Sequence, residues 1–125
     1  MQRFENFSIK ILGTPYTINT VPYDTDPMFS EKNYSGYCDG YGKRIVLLDQ
    51  DTCKDLEGEP EDTRRASERA TLRHEVVHAF FNESGLMDCS LQYEGPWSKD
   101  EELVDWIALQ GEKIYKVWET LGCLG

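Results

Sequence analysis

His74-Glu75-Val76-Val77-His78 is the stretch whose residue types and spacing could do chemistry. Two histidines four apart on a helix stand one turn above each other on the same face. Their ring nitrogens can then share one metal ion at about 2.0–2.1 Å. Glu75 is turned away from the pair, so it makes a poor third ligand, but it can reach a water held by such an ion. A carboxylate placed there takes the proton of the attacking water in zinc hydrolases. The chain has 2 His, and both are spent on this spacing. The competing reading is a pair of structural histidines with no metal.

A catalytic zinc needs a third protein ligand and one open position. With no third His, that ligand must be a carboxylate or, less favourably, a thiolate. Glu101 and Asp105, spaced ExxxD, would share one face of a second helix. Glu101 could then bind the metal while Asp105 accepts the spare ring N–H of a ligand histidine. Ser98-Lys99-Asp100-Glu101 also reads as a capping box, in which Glu101 would bond back to the helix start instead. Glu102 is the fallback ligand, with Asp88, Cys89 and Glu94 behind it.

The elements that must position these groups follow from the hydrophobic pattern. Residues 7–12 and 16–21 alternate apolar and polar around Gly13-Thr14-Pro15, which predicts a hairpin. Residues 22–35 carry two Pro and read as a loop. Residues 36–48 predict a second hairpin turning at Asp39-Gly40, with Arg44-Ile45-Val46-Leu47-Leu48 as its apolar strand. Residues 49–62 hold seven acids and one Lys, and predict a solvated loop. A first helix runs from Pro60 or Glu61 to Ser84, with Ala66, Ala70, Val77 and Phe80 or Phe81 at helical spacing, and Leu72, Val76 and Ala79 likewise; Gly85 is its stop. A second runs from Ser98 to about Leu121 on a stripe of Leu103, Ile107, Gln110, Ile114, Val117 and Leu121, flanked by Trp106 and Trp118. The fold class is α+β, one domain over residues 1–125: a small N-terminal antiparallel or mixed sheet, the HExxH helix and a C-terminal helix.

Composition narrows the partners. The net charge of −10 repels phosphate backbones, so nucleic acid is not expected as a partner. No apolar run approaches the ~20 residues of a membrane span, and the N-terminus does not read as a signal peptide. Cys38, Cys53, Cys89 and Cys123 form no CxxC pair, and free thiols in a reducing cytoplasm are the expectation.

The stretch TLRHEVVHAFFNESGL, followed some fifteen residues later by DEELVDWIALQ, resembles the minimal gluzincin-type metallopeptidases. It is most similar to the ImmA/IrrE-like and related phage- or prophage-encoded zinc peptidases of bacteria. The similarity is loose over residues 36 to about 115 and close over 71–85 and 100–110. It implies a zincin-like fold with an edge strand beside the HExxH helix. It also implies Zn²⁺ bound by His74, His78 and Glu101, and Glu75 as the base of a peptidase in the bacterial host's cytoplasm. By analogy the enzyme is an endopeptidase whose protein or peptide substrate pairs with an edge strand, placed at residues 43–48.

Three features depart from the family. HEVVHAFF replaces a Gly-containing HELGH-like sequence, the chain has no room for the helix-turn-helix domain of some members, and the oxyanion-stabilising His of larger gluzincins is absent. Tyr93, Tyr115 and Tyr41 are candidate substitutes. The rival readings are a catalytically silent, zinc-stabilised binding protein and an acidic decoy that mimics DNA.

Overall fold

The computed structural model describes residues 3–85 and 101–125, with the side chains at 101, 104, 105 and 108 outside the described set. Strands β1 (Phe7–Ile11) and β2 (Thr14–Val21) pair antiparallel. Their turn is Leu12-Gly13, one residue earlier than Gly13-Thr14-Pro15. Both residues have positive φ, 49° and 87°, which matches the right-handed twist of a two-residue hairpin. The chain then passes a short helix α1 (Pro27–Ser30) and forms β3 (Gly36–Asp39) and β4 (Arg44–Leu48). The sheet order is β1-β2-β4-β3, with β2 and β4 parallel and β3 antiparallel to β4.

Residues 43–48 are therefore not an edge. β4 lies between β2 and β3, and the edge beside it is β3. The sequence explains the correction. Ile45 and Leu47 pack into the main core, while Val46 and Leu48 pack with Phe29 and Cys53 on the opposite face. A strand covered on both faces is an unbroken apolar run. The true edge, Gly-Tyr-Cys-Asp, is short and half-buried, as exposed edges tend to be.

Helix α2 (Glu61–Glu83) lies across the inner face of the sheet. Its start carries Glu61 and Asp62, which suit the positive helix end, and Gly85 at φ 88° follows its last turn. Leu72, Val76, Ala79 and Phe80 are buried against Ile11, Tyr16, Ile18, Ile45 and Leu47. Ala66 and Ala70 are exposed instead, because Glu68 and Glu75, two turns apart, share the buried face. Helix α3 (Glu101–Leu121) packs against α2 through Ile114 and Leu121. Ile107 leaves the expected stripe at 52% exposure. Trp106 takes its place, stacking on Phe81 at 4.6 Å and donating to Ser84 Oγ at 3.0 Å.

The acidic stretch 49–62 is more tightly held than a solvated loop. It forms two 3-10 turns, Gln50–Thr52 and Lys54–Leu56, and buries Gln50 and Cys53. Asp51 meets Arg3, Arg64 and Arg65. Cys38, Cys53 and Cys123 are free thiols. Among the described residues no helix is long and apolar enough to cross a membrane.

Candidate metal centre

The four-residue spacing on α2 brings the two imidazoles together. His74 Nε2 and His78 Nε2 are 3.1 Å apart, with ring centroids at 4.8 Å and planes at 71°. Two nitrogens each about 2.0–2.1 Å from a tetrahedral ion lie about 3.3–3.4 Å apart, close to what is seen. Both rings are exposed, and Glu75 is 6% exposed. A Glu75 oxygen stands 3.8 Å from His74 Nε2, and one ligand atom from each of the three groups falls within 4.8 Å of the others. Two imidazoles and a carboxylate fit a divalent ion of borderline softness.

Electrostatics divides the roles. Burial pushes the Glu75 carboxyl above its ordinary range, with His74 pulling the other way. Burial, then the neighbouring His74, lowers the His78 imidazole. A neutral His78 offers a free lone pair to a metal, and a carboxyl raised toward neutrality is suited to take and return a proton.

The three groups line a groove of about 850 Å³ between α2 and the β3 edge, within the size range of small-molecule and peptide sites. Gly36 lets the two walls come together. A Cβ at that position would lie 2.7 Å from Thr71 Cγ2 on α2. Leu48 N donates to Ser35 O at 3.0 Å, and antiparallel alternation extends that pattern to Tyr37–Val46 and Asp39–Arg44. The backbone groups of Gly36 and Cys38 therefore point outward, away from β4. The Cys38 thiol, pushed up to about 12 by burial and then by Glu75 and Asp39, stays protonated. On the other face of β3, Tyr37 donates its hydroxyl to Asp26 Oδ2 at 2.6 Å.

Glu101 and Asp105 fall in the first two turns of α3, and their side chains lie outside the described residues, as do Ser98, Asp88, Cys89 and Glu94. Glu102 is exposed and stands outside the His74–Glu75–His78 group. Sequence reasoning missed the groove wall supplied by Tyr34, Gly36 and Cys38. The one local signal was the glycine at the start of a short polar strand. No family model, no curated protein and no solved structure matches the chain, so what the site can do is argued from its own geometry.

Proposed function

We propose that the chain is a zinc-dependent peptidase with Glu75 as general base. One observation carries the reading: two imidazole nitrogens 3.1 Å apart stand beside a buried carboxylate, in a groove whose far wall is a sheet edge that is unpaired among the described residues. On this reading the mixed sheet, α2 and α3 form a minimal zincin-like unit. His74 and His78 would hold the ion through Nε2, with Glu101 as third protein ligand and Asp105 orienting a ligand ring. When bound, zinc supplies Lewis acidity at the substrate carbonyl and acidifies a water.

The chain's own groups do the rest. Gly36 and Cys38 present outward N–H and C=O groups, with which an extended peptide can pair as an added strand. Glu75 accepts the proton of the attacking water and returns it to the leaving amine. The buried base favours an enzyme over a zinc-stabilised binding protein, since a structural site needs no base. Asp49 and Asp51 are drawn into pairs with arginines, so these two do not belong to a phosphate-like stripe displayed by a decoy.

Purified protein should contain about one zinc per chain. Glu101→Ala should lose most of it, and Glu102→Ala should not. Asp105→Ala should weaken zinc affinity about 10–100-fold, measured against a competing chelator. Glu75→Gln should keep zinc and fold while cleavage falls about 10²–10⁴-fold. Bacterial lysate incubated with each form reports cleavage as new peptide termini. Identical termini from wild type and Glu75→Gln at equal zinc content would refute the peptidase reading.

A further inference from the structure

Hydrolysis of a peptide bond puts negative charge on the carbonyl oxygen, and a donor aimed at that oxygen is commonly worth a factor of about 10²–10³ in rate. Of the residues expected to supply it, the two that are described do not line the groove. Tyr41 sits 81% exposed at the tip of the β3–β4 hairpin, and Tyr115 is 50% exposed on α3. Neither lines the cavities that His74 and Glu75 line, and Tyr93 lies outside the described residues. Among the other residues that line the groove, Tyr37 spends its hydroxyl on Asp26, and Arg44 Nε is bound to Asp39 Oδ2 at 3.1 Å.

Tyr34 remains. It lines both the main groove and the smaller cavity beside it, and His74 and Glu75 line both as well. Among the described residues its hydroxyl is the one phenol there that makes no hydrogen bond. Its backbone is fixed on both sides. Asn33 adopts a left-handed φ of 57°, a conformation Asn tolerates well. Tyr34 N donates to Met28 O at 3.2 Å, and the next residue, Ser35, accepts from Leu48 N. At 46% exposure the ring is half open to solvent.

Resting on the peptidase reading, we infer that Tyr34 is a catalytic residue whose hydroxyl donates to the substrate carbonyl oxygen as it gains charge. The loop 31–35 thus does more than connect α1 to the edge strand, because it carries a phenol that lines the same two cavities as Glu75. The hydroxyl keeps its proton throughout. It stabilises the anion by a hydrogen bond, and the proton transfers stay with Glu75.

The test compares wild type and Tyr34→Phe, both loaded with cobalt and read by the visible spectrum of the bound ion. Two small probes avoid any side-chain preference: acetohydroxamate, whose carbonyl oxygen occupies the position of the developing anion, and 2-mercaptoethanol, whose thiolate takes a metal position and has no carbonyl. Tyr34→Phe should bind cobalt and the thiol as wild type does and bind the hydroxamate about 10–100-fold more weakly. Tyr34→His, which restores a donor, should recover part of that loss. Equal hydroxamate affinity in wild type and Tyr34→Phe overturns the assignment and leaves the peptidase reading standing. So does a cobalt-loaded wild type that shows no hydroxamate binding. A wild type that takes up neither cobalt nor zinc removes the peptidase reading itself, and the role of Tyr34 with it.

Discussion

At the scale of single residues, Glu83 offers a test of fold electrostatics away from the histidines. Tyr16 Oη and Lys43 Nζ each reach Glu83 Oε2 at 2.7 Å, and Tyr16 is fully buried. Burial pushes the Glu83 carboxyl up, but the bonds from Lys43 and Tyr16 outweigh it and hold the carboxyl below the ordinary glutamate range. A carboxyl depressed in the folded state lends stability that is whole above its unfolded value and drains as pH falls through the folded one. Glu83→Gln should cost about 1–3 kcal/mol at neutral pH. The gap in melting temperature from wild type should narrow as pH drops below the unfolded glutamate value of about 4.3. A gap that stays constant down to pH 3 would contradict the assignment. What could be read at this scale from sequence was what local periodicity dictates. Four residues on a helix place His74 and His78 on one face whatever else the chain does. Tyr34 could not be found that way, because its position depends on loop closure between α1 and β3 rather than on any period.

At the scale of elements, the spacing between α2 and β3 rests on Gly36. A Cβ there would meet Thr71 Cγ2 at 2.7 Å and Val46 O at 3.2 Å, and Thr71 Oγ1 is anchored to Ser67 O at 2.9 Å. Gly36→Ala should destabilise the protein by about 1–3 kcal/mol in urea unfolding. Adding Thr71→Ser, which removes Cγ2 and keeps the hydroxyl, should restore part of that. No recovery would mean that the contacts with Val46 O and Leu47 Cδ2, both at 3.2 Å, set the limit. The same elements show where sequence reading stopped. Both hairpins, both long helices and the stop at Gly85 follow from local pattern. The strand order does not, because the parallel pairing of β2 with β4 joins segments separated by a whole hairpin arm and a loop. Once that order is known, the apolar run Ile45–Leu48 makes sense as a strand buried on two faces, and the polar β3 as the edge.

At the scale of the whole molecule, Glu68 ties three distant parts of the chain together. It is 2% exposed, accepts from Arg3 at 2.8 Å and Arg65 at 2.6 Å, and takes Gln50 N at 3.1 Å. Removing one side of a buried ionic network strands its partners, a cost of about 3–5 kcal/mol. Arg3 is a third exposed, and its loss leaves Arg65 still in place. Glu68→Ala should therefore lower stability by several-fold more than Arg3→Ala, whose cost should be about 1 kcal/mol. Raising salt should weaken the contacts to half-exposed Asp51 and leave those to Glu68 nearly intact. Equal losses from the two variants would show that Glu68 is not the hub. The acidic stretch was legible as charge and illegible as structure, since nothing local says that Arg3 and two arginines of α2 converge on it.

The parallel pair β2–β4 also has a consequence in time. Thr17 meets Arg44 and Val21 meets Leu48, contacts that require the whole intervening segment to be looped out first. Such closures come late, after hairpins and helices whose contacts are local. The two hairpins β1–β2 and β3–β4 and helix α2 can each form early, but β3 takes its place in the sheet only once β4 is seated beside β2. The histidine pair can thus exist on a nascent helix before the groove that would present a peptide to it. A newly made chain passes through that interval with both histidines on one helix face and no β3 wall opposite them, so the groove is the last part of the site to form.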